Sequence, residues 1–343
     1  MAPSRAALLA AAACAAASSS GAAAAPPGLY AITAAQQLVR VRANATLVPV
    51  APAAVAGVGQ SQQLAAVDAA RAVFYEIGWN YSSQAPALLG WRLSDGGLHC
   101  ACSLTSFGSA GLVGLGEFVA VVPATGHVVV AAQAAAGGNH SVALVTPSSC
   151  AVELVAQVAA SFEDALGGAG AFDPLAGGAG AMLLQFYGTA SGGGGDPALE
   201  LLSVDLATGA VARALVFNYS AGRYAQSLSY APGESAFYGM GLAPSAANAS
   251  VAVRTVARLD AASLAWEVRG VVEGFTESAG TLAALDARAG VLYMVLQHDA
   301  HVGPSEPFFL VAASTADGRV LSAAQLCAGL SDCPWSLVFY QPP

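Results

Sequence analysis

Three observations predict an all-β chain built from one repeated four-strand unit. A hairpin-like segment recurs at a nearly constant interval, a second hairpin alternates with it, and no long segment keeps a 3.6-residue apolar period free of glycine or proline. In the first hairpin an apolar strand runs into a turn and an apolar, often tyrosine-bearing strand returns. It occupies residues 63–78 (QLAAVDAARAVFYEIG), 117–132 (EFVAVVPATGHVVVAA), 227–242 (SLSYAPGESAFYGMGL) and 282–297 (LAALDARAGVLYMVLQ), with a looser copy at 171–188. Successive starts lie 54, 54, 56 and 55 residues apart. The second hairpin occupies 88–104, 141–158, 199–217, 255–272 and 308–326, turning at SDGG, TPSS, DLATG, DAAS and TADG, residues that reverse a chain cheaply. A sixth copy spans 38–52 and turns at 43–46.

Six second hairpins but only five first hairpins leave one unit two strands short. Residues 28–33 (GLYAIT) match a returning strand, with Tyr30 standing where Tyr75, Tyr238 and Tyr293 stand, and 335–341 (WSLVFYQ) match an outgoing strand. The reading is therefore a ring of six units closed by three N-terminal strands and one C-terminal strand, so that no loose edge remains. Period, turn placement and closure resemble a six-bladed β-propeller of the broad group that includes NHL-type, YWTD-type and gluconolactonase-like proteins, over everything after residue 27; the YWTD tetrapeptide itself is absent.

Composition narrows the partners. Twelve basic residues, all arginine, face twenty-one acids for a formal charge of -9, and no basic run offers the phosphate-neutralising patch that nucleic acid requires. The absence of lysine excludes Schiff-base and P-loop chemistry. Met1 to Arg5 followed by the alanine-rich stretch 6–17 reads as a signal peptide within residues 1–25, cleaved between 17 and 25, ahead of a single domain 26–343. Cys14 faintly resembles a bacterial lipoprotein tether, which makes a lipid-anchored envelope protein the alternative. No transmembrane helix is expected. Five sequons, Asn44, Asn80, Asn139, Asn218 and Asn248, fall in or beside turns and suit secretion. Five further cysteines suit an oxidising compartment. Cys327 and Cys333 flank the loop into the closing strand and are expected to pair, whereas Cys100 and Cys102 share one face of a strand, so that one of them is expected to pair with Cys150.

Candidate chemistry is sparse. His298, Asp299 and His301 offer two imidazoles and a carboxylate as part of a metal site, against the reading of solvated loop histidines. Glu117, at the entrance of an innermost strand, is the best-placed carboxylate for a gluconolactonase-like cation site, although the corresponding positions hold Gln62, Ala225, Gly280 and Pro334. Glu163, Asp164, Glu273 and Glu277 share its face. Glu76, near Trp79, has the setting of a pKa-raised acid of a glycosidase, weighed against a strand-end acid facing water. The recurring tyrosines read as packing between blades. The functional expectation is a secreted, non-catalytic propeller that binds a protein or glycan, with no cofactor; the alternative is a metal-dependent hydrolase or lactonase using Ca²⁺ or another divalent cation.

Overall fold

The computed structural model describes residues 25–50, 58–59, 65–80, 85–104, 118–133, 140–158, 168–174, 180–188, 198–218, 224–244, 252–298, 305–329, 333–334 and 336–343. These residues hold strands and turns and no helix, and so no helix long and apolar enough to cross a membrane. Strands β1 (Gly28–Ile32), β2 (Leu38–Val41) and β3 (Leu47–Pro49) form a sheet with the last strand, β25 (Ser336–Tyr340), in the order β25-β1-β2-β3. The closure expected from the repeat count is thus present. β25 runs antiparallel to β1, with Gly28 opposite Tyr340 and Ile32 opposite Ser336.

Four more sheets have four strands each. They are β9 (Phe118–Val121) to β12 (Ala151–Val158), with β10 (Val128–Gln133) and β11 (His140–Thr146); β13 (Gly168–Asp173) to β16 (Val211–Asn218), with β14 (Ala181–Gly188) and β15 (Ala198–Asp205); β17 (Tyr224–Ala231) to β20 (Trp266–Val271), with β18 (Ala236–Pro244) and β19 (Ala252–Asp260); and β21 (Phe275–Asp286) to β24 (Val320–Cys327), with β22 (Val291–His298) and β23 (Phe308–Ser314). The remaining sheet departs from the expected four. It contains β4 (Val58–Gly59), β5 (Ala65–Asp68), β6 (Val73–Asn80), β7 (Ala85–Arg92) and β8 (Leu98–Ser103). Both β4 and β5 pair with the same side of β6, β4 with Asn80 and Trp79 and β5 with Glu76 to Val73.

The sheets stand around an axis. β5, β9, β13, β17, β21 and β25 contact one another in that order, and β25 returns to β5. Six buried clusters fill the spaces between neighbouring sheets. Because side chains alternate across a strand, each sheet feeds two of them. Val73, Tyr75 and Ile77 of β6 pack towards the β9–β12 sheet, while Phe74 packs towards Tyr30, Ile32 and Val338 of the closing sheet. Tyr30, Tyr75 and Tyr238 are each at most 2% exposed within these clusters, and Tyr293 stacks on Phe339 of the closing strand, so the recurring tyrosines are packing residues.

Turn chemistry sets the sheet-to-sheet contact. Most hairpin turns end in a left-handed residue, glycine at 96, 126, 209, 290 and 318 but Ala45, Ala72, Cys150, Ser235 and Leu264 elsewhere. Within a sheet the two turns are tied together: the N–H groups of Leu93, Leu206, Ala261 and Thr315 donate to the carbonyls of Ala72, Gly180, Ser235 and Gly290. Between sheets, the second turn touches the outermost strand of the preceding sheet. Gly209 lies against the Val155 carbonyl, and Gly270 against Asp317 and Gly318. At the equivalent place Cys150 meets Cys102 in a disulfide, with Cα atoms 5.0 Å apart. The second disulfide, Cys327–Cys333, precedes the closing strand. Chain entropy makes these bridges worth about 4 and about 2 kcal/mol, respectively. Cys100 is buried and outside both.

This packing has two measurable consequences. A Cβ at Gly270 would collide with the Asp317 carbonyl, whereas one at Gly233 meets nothing within 4 Å. Gly270→Ala is therefore expected to cost about 2 kcal/mol in urea melts and Gly233→Ala to be near neutral. The second concerns acid. Asp205 accepts the N–H and hydroxyl of Thr208, Asp260 those of Ser263, and Asp317 is held by the Ser314 hydroxyl and the Arg319 N–H; each carboxyl is thereby drawn below its ordinary range. A lowered folded pKa adds stability above the unfolded value of about 3.9 and loses it as pH falls through the folded value. The melting midpoint should hold above about pH 4 and fall below it, less steeply in Asp260→Ala.

Candidate functional site

The innermost strands enclose a cavity of about 320 Å³ on the axis. Each stands at one end of its sheet, so its axial edge has no strand partner and turns backbone N–H and C=O groups towards the cavity. The walls are Ala65, Ala66 and Val67 of β5, Phe118 to Val121 of β9, Phe172 of β13, Leu228, Ser229 and Tyr230 of β17, Ala283 to Leu285 of β21 and Leu337 to Phe339 of β25. None is charged. At the end where first-hairpin turns lie, Pro123, Pro174 and Pro232 follow β9, β13 and β17 and rim the mouth. Aligning the repeats on their turns would have found these prolines.

Tyr230 carries the polarity at that mouth. Burial pushes its hydroxyl pKa up, and the Asp173 carboxylate to which it donates pushes it further, against a hydrogen bond from Ser235. The strand that carries it holds a bulge between Gln226 and Ser229, with Ser227 in left-handed backbone at φ 53°. An extra residue there re-aims the side chains beyond it, and Leu228 and Ser229 both reach the cavity wall.

Glu76 is a correction to the sequence reading. It sits in the middle of β6, opposite Ala65 and Leu89, and is fully buried rather than a strand-end acid in water. Ser336, the first residue of the closing strand, donates its hydroxyl to Glu76 Oε2 at 3.4 Å across a separation of 260 residues. The carboxylate thus faces the seam of the ring, and nothing in the local sequence pointed to its partner.

The other expected site residues are not gathered. His298 ends β22, exposed, with its ring edge-on to Phe275 at 5.6 Å. Glu273 is exposed in the turn before β21. Asp299, His301, Glu117, Glu163 and Asp164 lie outside the described residues, as do Asn139, Asn248, Cys14 and the rest of 1–24; the side chain of Glu277 is likewise outside. Among the described residues no three His, Cys, Asp or Glu side chains come together as a metal-ligand group. Asn44 occupies an exposed turn, and Asn80 and Asn218 are the last residues of β6 and β16.

No protein-family model matches the chain, and no curated protein matches it. Solved structures do. Hydrazine synthase of Kuenenia stuttgartiensis superposes with a TM-score of 0.52 at 11% identity, covering 94% of this chain and 92% of that one. A proposed 6-phosphogluconolactonase of Bacteroides uniformis gives 0.51 at 11% identity over 92% of this chain and all of its own, 100%. One from Bacteroides fragilis gives 0.50 at 10% over 94% and 100%. At such identities the likeness is one of fold: the chain is a β-propeller.

Removing the Ser336 hydroxyl leaves a buried carboxylate oxygen with one donor fewer. Ser336→Ala is expected to lower stability by about 1–2 kcal/mol in urea melts, more than the same truncation at exposed Ser322.

Proposed function

We propose that this protein is a secreted, non-catalytic six-bladed β-propeller that binds a protein or glycan ligand. The count of six takes β4 and β5 as two halves of one interrupted innermost strand, a reading supported by their pairing with successive stretches of β6. The two disulfides accord with an oxidising compartment. A leader cleaved between 17 and 25 is supported by the packing that follows it: Ala25 joins the cluster around Trp91 and Leu93, while Tyr30 and Arg40 hold the carbonyls of Pro26 and Pro27, each at 2.8 Å.

The observation that carries the binding reading is the axial cavity, whose lining among the described residues has no charged side chain. A hydrolase that activates water on a cation needs convergent carboxylates or imidazoles. The competing metal-dependent hydrolase draws its ligands from Glu117, His298, Asp299 and His301. Thermal unfolding of the secreted protein, untreated, with EDTA, and with added Ca²⁺ or Zn²⁺, separates the two. An unchanged midpoint is expected. A midpoint lowered by EDTA and restored by one cation, and no longer responsive in Glu117→Ala, would replace the binding module with the hydrolase.

A further inference from the structure

We infer that Cys100, Cys102 and Cys150 form a thiol–disulfide exchange site, in which Cys150, ending the second turn of the β9–β12 sheet, is bound alternately by two cysteines of the neighbouring outer strand β8. The site lies between two sheets, apart from the axial cavity, and does not depend on what the cavity binds.

The placement of a bulge brings the third sulfur to the bridge. In β8 the ladder with β7 slips between Gly90 and Trp91, and His99 is the extra residue, directly after the pair of Trp91 with Leu98. In β12, β16 and β20 the extra residue comes two places later: Val155 after the equivalent pair of Val145 with Val152, Ala214 after Val204 with Val211, and Arg269 after Leu259 with Trp266. An extra residue inverts the alternation of side chains beyond it. Leu98, before the bulge, packs towards the closing sheet, whereas Cys100 and Cys102, beyond it, pack towards the β9–β12 sheet. With the bulge two places later, Cys100 would face the closing sheet beside Leu98 and only Cys102 would face Cys150. As built, both share one buried cluster, and Cys150 packs against it.

The surroundings make room for the third thiol. Gly90 stands opposite Cys100, and a Cβ there would lie 2.8 Å from Cys100 Sγ and 2.8 Å from the Tyr75 ring, so the missing side chain leaves the space that the thiol occupies. Cys100 is outside both bridges. Cys150 holds left-handed backbone at φ 55°, where the corresponding residues of two later turns are Gly209 and Gly318. A side chain in that conformation costs about 1–2 kcal/mol that glycine avoids, so this place favours cysteine only for its sulfur. Cα atoms of Cys102 and Cys150 are 5.0 Å apart. Two residues of strand span about 7 Å, so a slide of Cys150 by no more than that along β8 brings it to Cys100. Its turn lies at the surface, with Ser148 and Ser149 exposed.

The exchange needs no oxidant. Cys100 gives up its proton and its thiolate attacks Cys150 Sγ; the Cys100–Cys150 bond forms as the Cys102–Cys150 bond breaks, and the electron pair of the broken bond leaves on Cys102, which takes up a proton. One thiol and one disulfide are present before and after. The released Cys102 thiol has an acceptor in place, the Pro147 carbonyl 3.7 Å from its Sγ. The tie between these two sheets therefore has two positions, and the outer strand shifts against the neighbouring turn without losing its covalent hold.

Disulfide mapping of the secreted protein tests this. Samples held at pH 8 are quenched in acid at intervals, unfolded with excess N-ethylmaleimide and digested, and fragmentation in the mass spectrometer places the label. Label is expected on Cys100 in most molecules and on Cys102 in a minor fraction, about 1–10%. In Cys102→Ser, Cys100 and Cys150 are expected to be bridged to each other; in Cys100→Ser, only the Cys102–Cys150 bridge should be found. Melting curves establish that each variant is folded, and the native protein decides alone if Cys102→Ser is not. Label confined to Cys100 at every interval in the native protein, or labelled thiols at both Cys100 and Cys150 in folded Cys102→Ser, would overturn the exchange site.

Discussion

The pairing of β25 with β1 is the contact on which the rest of the molecule depends. Without it the first sheet would lack its innermost strand, the axial ring would open between β21 and β5, and two clusters would lose a wall: the one holding Leu337 and the one holding Val338 and Tyr340. The bond joins residues more than 300 apart in sequence, so its loop-closure entropy is met only when all the intervening sheets are in place. Local devices then hold the strand where it lands. Cys327–Cys333 fixes the approach, Ser336 reaches Glu76, and Tyr293 stacks on Phe339.

The ring explains the composition. A sheet with one wet face alternates apolar and polar residues, but here most inner strands bury both faces, and β6, β7 and β9 read as near-continuous apolar runs. Outermost strands such as β12, β20 and β24 recover exposure. Glycine stands where sheets approach closely, as at Gly209 and Gly270, where another sheet's backbone fills the space a side chain would need. The same geometry makes the axis a place where small apolar side chains and unpaired backbone edges meet, a combination that neither a core nor an open surface provides.

Much of the fold was legible in the sequence. Repeats of about 54 residues located the hairpins, and the count of incomplete units located the closure and assigned Tyr30 and Trp335 to Gln341 to it. The face shared by Cys100 and Cys102 limited the bridge to Cys150 without choosing between them; the choice of Cys102 depends on how far the outer strand reaches along the next sheet's turn. Glu76 shows the opposite case. Its apolar neighbours in β6 signal a buried strand, but the group that receives the carboxylate arrives only with the last strand. β4 was hidden as well, since Val58 and Gly59 carry no pattern long enough to read as a strand.

What the sequence determined by itself is periodic and local: strand positions from apolar runs, turns from Asp, Gly, Ser and Pro, and the number of strands left over for closure. These arise from backbone sterics and side-chain alternation, which act over a few residues. The tertiary structure alone decided which residues share the axis and that Glu76 meets Ser336. Those are consequences of a ring, in which residues one repeat apart become neighbours and the first and last strands become one sheet, and no property of a single segment encodes them.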